Sequence, residues 1–247
     1  MHGCGGKMGH VVADIVKNDE NCEMVAGIDP RGVEAEFPTF TTSMDCNIDA
    51  DVIIDFSTAA AIPSLLEFAK AKKIPVVLCT TGLDEQMLKI VSEASKEVAI
   101  LKSANMSVGV NLLINLIQKA TQTLVDSGFD IEIVEKHHNQ KIDAPSGTAL
   151  AFADAINEKL DNSYEYVYDR SQKREKRSKK EIGLHAVRGG TIVGEHDIIF
   201  AGKDEIVTFS HSAMSKEVFA VGAVKAAKFL CGKGPGLYNM KNVMDEI

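Results

Sequence analysis

Gly3-Cys4-Gly5-Gly6-Lys7-Met8-Gly9 opens the chain and runs straight into Val11, Val12, Ile15 and Val16 at helical spacing. Glycines 3, 6 and 9 give a Gly-x-x-Gly-x-x-Gly spacing, not the strict Gly-x-Gly-x-x-Gly of dinucleotide-binding turns. The physical demand is shared: a tight turn, backbone close to a pyrophosphate, and a helix packed tightly on a sheet. Alone this is a weak signal. Residues 24–28 strengthen it, because they read as a strand ending at Asp29, about 20 residues past the last glycine, where an acid meets adenosine ribose hydroxyls. Asp29 favours NADH, since a 2′-phosphate would sit beside a carboxylate, while Arg31 offsets that repulsion and leaves NADPH open. Asp29-Pro30 as an ordinary turn-forming pair is the lesser alternative. Only Met1 and His2 precede Gly3, too few for the buried central strand such a turn should follow. The expectation is that Met1 is an internal methionine and the natural chain begins several apolar residues earlier.

Working outward, strand-like residues 51–55, 75–79 and 98–101 alternate with helical patterns over 59–72 and 84–97. Such alternation indicates βαβ units and a parallel sheet. Past an amphipathic helix over 111–125 the pattern changes. A strand over 130–135 and a helix over 148–160 lead to β runs at 182–187, 191–200 and 205–210. Turns at Gly189-Gly190 and 202–204 predict that these three form an antiparallel meander. A last helix over 216–230 is expected to return to the first domain. The expected fold class is α/β: a Rossmann-like doubly wound parallel sheet plus a second α+β domain with a mixed or antiparallel sheet.

Ligands in such sheets sit where strands end. Asp55-Phe56-Ser57-Thr58 and Cys79-Thr80-Thr81-Gly82 close two of the strands. Ser103, Ala104, Asn105, Met106 and Ser107 precede the long helix, where they are expected to bridge the domains beside a nicotinamide. Each alone is as readily a turn as a site.

Composition sets the outer bounds. The 247 residues allow one large domain or two modest ones. A net charge of −8 argues against a nucleic-acid partner, and no apolar run approaches the roughly 18 residues of a membrane span. Five scattered cysteines form no Cys-x-x-Cys pair, so neither a zinc site nor a disulfide framework is suggested, and a reducing cytoplasm is the simplest home. The segment from 170 to 180 is strongly basic without aromatics and reads as a solvated loop rather than an anion-binding surface.

The stretch from Glu135 to Thr148, Glu-Lys-His-His-Asn-Gln-Lys-Ile-Asp-Ala-Pro-Ser-Gly-Thr, carries the chemistry. Imidazole and ammonium groups hold and protonate an anionic substrate, and the helix opening at Ser146 offers backbone N–H groups to a carboxylate. A polar loop with Ser146 or Thr148 as an ordinary cap is the plainer account. Zinc ligation by His137 and His138 lacks a third and fourth ligand at suitable spacing; buried structural histidines remain open, and His196 is read as structural. Consecutive strand residues face opposite ways, so either a turn intervenes or one histidine buttresses the other. Arg188 is a further candidate substrate contact beside the Gly189-Gly190 turn.

Together these motifs resemble the dihydrodipicolinate reductase family of lysine and diaminopimelate biosynthesis, over almost the full length. The resemblance rests on the glycine turn, Asp55-Phe56-Ser57, Thr80-Thr81-Gly82, residues 104–111, the block from Glu135 to Thr148, Arg188-Gly189-Gly190, Gly194-Glu195-His196, Phe219-Ala220-x-Gly222-Ala223 and Gly236-Leu237-Tyr238-Asn239-Met240. It implies NADH or NADPH held by Gly3, Cys4, Gly5, Gly6, Lys7, Met8, Asp29, Cys79, Thr80, Thr81, Ser103, Ala104, Asn105 and Met106. It implies His137 as acid/base, Lys141 as proton donor, and His138, Gly147 and Thr148 as contacts to a small dicarboxylate. It further implies a dinucleotide-binding domain over residues 1–107 and 216–247, a substrate-binding and oligomerisation domain over 108–215, and a homotetramer. Departures are modest: Lys7, Cys79 and Met106 stand where the family usually has Arg, Gly and Phe. Two other readings compete. A two-domain reductase for another small acid would lack the adjacent histidines and the Lys-x-Asp-x-Pro-Ser-Gly-Thr that follows. A non-catalytic dinucleotide sensor would have lost the lysine or histidines.

Overall fold

In the computed structural model, which describes residues 1–246, the chain divides into two compact units. One comprises Met1–Val108 and the chain from Glu217 onward; the other is Gly109–Lys216. The first unit begins with α1 (Lys7–Lys17), then β1 (Gly27–Ile28), β2 (Thr39–Phe40), β3 (Ile53–Asp55), α2 (Ile62–Lys72), β4 (Val76–Leu78), α3 (Glu85–Ala94) and β5 (Ala99–Lys102). The second carries most of α4 (Val108–Asp126), then β6 (Asp130–His137), α5 (Gly147–Lys159), β7 (Glu165–Val167), β8 (Glu181–Arg188), β9 (Gly194–Ala201) and β10 (Ile206–Ala213). The chain then returns to the first unit with α6 (Glu217–Leu230), β11 (Gly236–Tyr238) and α7 (Met240–Asp245).

Every strand pair of the first unit is parallel, in the orders β11-β5-β4-β3 and β1-β2. His2 joins the two sets by parallel bridges to Ile28 and Asp55. Its N–H donates to the Ile54 carbonyl at 2.9 Å and its carbonyl accepts from Phe56 at 3.0 Å, while the Met1 ammonium donates to the Ala26 carbonyl at 2.7 Å. Two residues thus hold the central ladder just before the glycine turn. These strands are buried on both faces, and successive side chains alternate between the two as their two-residue period requires. Ile53, Val76, Leu78 and Ile100 enter the core with α2 and α3, whereas Ile54, Val77, Ala99 and Leu101 enter the opposite core with α1, α6 and α7. A sheet covered on both faces is the doubly wound architecture. The helices begin and end for local reasons. Asp84 caps α3 by accepting the Met87 N–H at 2.7 Å, and residues 59–61 form a 3₁₀ turn before Pro63 fits the first turn of α2.

The second unit has a mixed sheet in the order β10-β9-β6-β8-β7. Only β9 and β10 form a hairpin, closed by Gly202 N–H to the Glu205 carbonyl at 2.8 Å. The three-strand meander is therefore corrected: β6 lies between β8 and β9, parallel to the first and antiparallel to the second. The Gly189-Gly190 backbone does not reverse the chain tightly. It bonds instead to the exit of β6, with Gly189 N–H on the His137 carbonyl at 2.9 Å and Asn139 N–H on the Gly190 carbonyl at 3.2 Å. The basic segment is also more than a solvated loop. Arg177 donates to Glu132 at 2.8 Å and to the Ile131 carbonyl at 2.7 Å, and Arg170 pairs with the buried Glu181. These contacts fasten the connection between β7 and β8, and β7 is a strand the sequence pattern does not predict.

Candidate active site

The glycine turn is close-packed. Gly3 has φ +79°, and a Cβ there would lie 2.6 Å from the Phe56 carbonyl oxygen; at Gly9 it would lie 2.4 Å from the Gly3 carbonyl oxygen. Gly6 caps α1 without a side chain and the first turn holds no acid, so its amides present an uncancelled partial positive charge. Asp29, buried at the end of β1, accepts from Gly5 N–H at 3.0 Å and from the Arg31 guanidinium at 2.8 Å on each oxygen. The Arg31 hydrogen bonds, more than any other contact, hold that carboxyl down to about 2.

All the proposed cofactor residues lie at the carboxyl ends of the parallel strands or in the turn that faces them, the side on which open α/β sheets take ligands. Their side chains divide sharply. Cys4 and Met106 are buried, so only their backbones can meet a ligand, and Cys79 is half-buried against the core that Met106 shares with α1 and α6. Burial pushes the Cys79 thiol well up. Thr80 spends its hydroxyl on Asp55 at 2.6 Å, while Lys7, Thr81 and Ala104 are exposed. Asn105 accepts the Ser107 N–H at 2.8 Å and shapes the turn after β5. Gly222 in α6 fixes that turn from below, since a Cβ there would lie 1.7 Å from the Met106 carbonyl oxygen.

In the second unit, β6 places Ile131, Ile133, Glu135 and His137 on one buried face above Phe152, Ala153 and Ile156 of α5. Register then assembles the site, setting His137 opposite Arg188 on β8 and Glu135 opposite His196 on β9. Glu135 is fully buried and hydrogen-bonded on both oxygens. His137 Nδ1 lies 2.5 Å from Oε2, Arg188 forks onto both oxygens at 2.8 and 2.7 Å, and Ser146 N–H donates to Oε1 at 2.9 Å. Burial pushes the Glu135 carboxyl up, but Arg188, His137 and the Ser146 amide outweigh it and the net shift is downward. The carboxylate therefore accepts Nδ1–H and leaves His137 Nε2 on the far side of the ring, beside the buried Gly194, where a Cβ would lie 3.0 Å away.

Ser146 caps α5, accepting the Ala149 N–H at 3.2 Å, and its hydroxyl meets His196 Nε2 at 3.1 Å. Gly147 is exposed with open space where a Cβ would be, and Thr148 is half-buried. Lys141 pairs with Asp143 at 2.8 Å on the turn that follows His138, which lies half-buried just past the end of β6. His137, Lys141, Gly147 and Thr148 thus share one connection. Sequence reasoning missed Glu135 as a partner of His137; a two-residue spacing on a strand puts both on one face and could have revealed it.

His196 edges onto the His137 ring at a centroid distance of 5.2 Å. Burial, with His137 next in effect, lowers its imidazole to about 4. In the unfolded chain it takes up a proton near 6.5. Between those values the unfolded state holds the extra proton, so this contribution to stability is full above about pH 6.5 and falls away toward pH 4. The loss from about pH 7 to about pH 5 is about 2 kcal/mol. Denaturant midpoints at those two pH values should therefore converge in His196→Gln; an unchanged pH dependence would overturn the assignment.

The family model described as dihydrodipicolinate reductase, N-terminus, matches residues 1–106, and the one described as dihydrodipicolinate reductase, C-terminus, matches residues 109–244. The chain belongs to the dihydrodipicolinate reductase family. It is 57% identical over 244 residues to the 4-hydroxy-tetrahydrodipicolinate reductase of Caldanaerobacter subterraneus subsp. tengcongensis, covering 99% of this chain and 96% of that protein. The Clostridium tetani protein of the same name is 47% identical, covering 96% of this chain and 93% of its own length. Dipicolinate-bound dihydrodipicolinate reductase from Paenisporosarcina sp. TG-14 superposes with a TM-score of 0.79 at 25% identity, over 98% of this chain and 97% of that one. A probable dehydrogenase from Thermotoga maritima shares the fold at a TM-score of 0.61 and 11% identity, over 97% of this chain and 90% of that one. As a member of the reductase family, the chain is an NAD(P)H-dependent oxidoreductase with a Rossmann-like cofactor domain.

Proposed function

We propose that the β6–α5 connection supplies the proton chemistry for NAD(P)H-dependent reduction of 4-hydroxy-tetrahydrodipicolinate to tetrahydrodipicolinate in lysine and diaminopimelate biosynthesis. The carrying observation is the buried Glu135 carboxylate, which fixes His137 by Nδ1 and is itself held by Arg188 and the first amide of the α5 cap. Nothing about that arrangement is needed for packing alone, where an apolar residue would serve as well.

The glycine turn fits a dinucleotide: its backbone approaches closely only without Cβ atoms, and the α1 N-terminus suits a pyrophosphate. Gly3, Gly5, Gly6, Lys7 and Met8 would hold the pyrophosphate, Asp29 and Arg31 the adenosine ribose, and residues 79–81 and 103–106 the nicotinamide end. With Arg31 laid over Asp29, this end meets either ribose hydroxyls or a 2′-phosphate. For ring carbon 4 to accept hydride its hydroxyl must first leave as water with a hydrogen from ring carbon 5, giving a double bond conjugated with the ring imine. A bound nicotinamide would then supply the hydride. Electron density then gathers on the conjugated ring nitrogen, and a nearby cation lowers the barrier. Lys141 gives up the proton, His137 Nε2 serves as acid/base, and His138, Thr148 and the Gly147 amide orient the carboxylates.

The exposed alternate residues of edge strand β10, Ile206 among them, support a homotetramer joined through the second unit's sheet. The free thiols support a cytoplasmic location. The test mixes purified protein with NADH or NADPH and freshly generated substrate while following nicotinamide absorbance, and sediments the same sample. Oxidation by a tetramer is expected. Tight NADH binding without oxidation would replace the enzyme reading with a dinucleotide sensor, and a sedimenting monomer would remove the assembly.

A further inference from the structure

Asp55 ends β3 with its carboxylate wholly out of solvent, and donors from three separate stretches close on it. His2 Nδ1 lies 2.6 Å from Oδ1, Ser57 N–H 3.2 Å from the same oxygen, and the Thr80 hydroxyl 2.6 Å from Oδ2. These donors come from the residue before the glycine turn, the exit of β3 and the exit of β4. A buried carboxylate persists only when paired and hydrogen-bonded, and an apolar residue would pack a strand end without that requirement. The group sits instead where open parallel sheets receive their ligands.

The surrounding backbone leaves no slack. His2 is itself buried, bonded through N–H and carbonyl to Ile54 and Phe56, and the next residue, Gly3, sits against the Phe56 carbonyl. A shift of the β3 exit is therefore a shift of the glycine turn. Thr80 cannot donate its hydroxyl proton to a ligand while Asp55 accepts it, so its N–H and C=O are what the strand end offers alongside that fixed oxygen.

We propose that Asp55 is a positioning residue for the dinucleotide, oriented by His2, and that the pair locks the Thr80–Thr81 backbone in register with the glycine turn. The inference rests on the reading that the cofactor occupies this end of the sheet. Neither His2 nor Asp55 touches the reacting atoms, so cofactor affinity should change and the proton chemistry of the second unit should not.

Three variants of the full chain test it, with NADH as cofactor and pyridine-2,6-dicarboxylate as an independent ligand for the second unit. His2→Ala is expected to raise the calorimetric Kd for NADH about tenfold, with KM for NADH rising in proportion and kcat at saturation within about twofold. His2→Asn, whose amide can donate in place of Nδ1–H, is expected within about twofold of wild type. Thr80→Val, which keeps the shape and removes one donor, should raise the NADH Kd to a similar extent, and the dicarboxylate Kd should hold throughout. An unchanged NADH Kd in both His2→Ala and Thr80→Val would overturn the proposal. So would failure of His2→Asn to recover affinity, or parallel loss of dicarboxylate binding. Absence of NADH binding in wild type would overturn the cofactor placement itself, and the inference with it.

Discussion

Lys141→Ala is expected to turn over at least about a hundredfold more slowly than wild type while keeping its fold, because general acid assistance is typically worth about 10²–10⁴ in rate. Its ammonium pairs with Asp143 at 2.8 Å on a surface turn, and no apolar core depends on it. The stability change should therefore stay within about 0.5 kcal/mol. On the proposed assignment the variant would lose a transferable proton and a positive charge close to a dianionic substrate. Those roles separate kinetically. A charge that only anchors substrate raises KM and leaves kcat alone, whereas a donor acting in the transition state lowers kcat. Lys141→Arg sharpens the division, since guanidinium keeps the charge but does not release its proton in proteins. Arginine should restore much of KM and little of kcat. A wild-type kcat in either variant would reduce Lys141 to an anchor and pass the donor role to His137.

The order of elements was legible because each carries its own period. Ile53-Ile54, Val76-Val77-Leu78 and Ala99–Leu101 are continuous apolar runs, as strands buried on both faces must be, and the intervening helices show their stripes. Pairing was not legible to the same degree. Gly189-Gly190 has the composition of a hairpin turn, yet its hydrogen bonds go to His137 and Asn139, and β6 takes the place beside β9 that β8 was expected to fill. Composition sets the freedom of a turn; the partner of a strand is decided by which faces need covering. β7 escaped notice because three residues, one of them buried, show no period, and because its neighbours are fixed by Arg170 and Arg177 through long-range ion pairs.

The site divides along the same line. The histidines, lysine and cap serine stand within one short segment, so their chemistry shows in the bare sequence. Arg188 and His196 reach the site only through strand register, Arg188 opposite His137 and His196 opposite Glu135. Sequence alone marks His196 as structural, and its burial and Ser146 contact suit that role while also placing its ring against His137. Asp55 was visible as the polar end of an apolar strand, but its three donors come from positions 2, 57 and 80, which only the fold collects.

Glu135→Gln should be the most damaging conservative change in the second unit, through two separable effects. The amide keeps the shape of the side chain but presents one oxygen where two carboxylate oxygens accept from His137, Arg188 and Ser146. Arg188, mostly buried, is left without its counter-charge, and breaking such a pair typically costs about 3–5 kcal/mol. The depressed Glu135 carboxyl stabilises the fold above its unfolded pKa of about 4.3, and that stability is lost as pH falls through the folded value. The variant should accordingly be less stable at neutral pH and lose less on acidification below about pH 4.5. The second effect is catalytic. Without a carboxylate on Nδ1, His137 is free to take the other tautomer, and kcat in the folded protein should fall at least about a hundredfold. Arg188→Met separates the two, since it removes the ion pair yet leaves Glu135 on His137. It should lose stability and keep far more of kcat than Glu135→Gln. Equal kcat in the two variants would make Glu135 a structural anchor for Arg188 and leave His137 to be oriented by Gly194 and His196 alone.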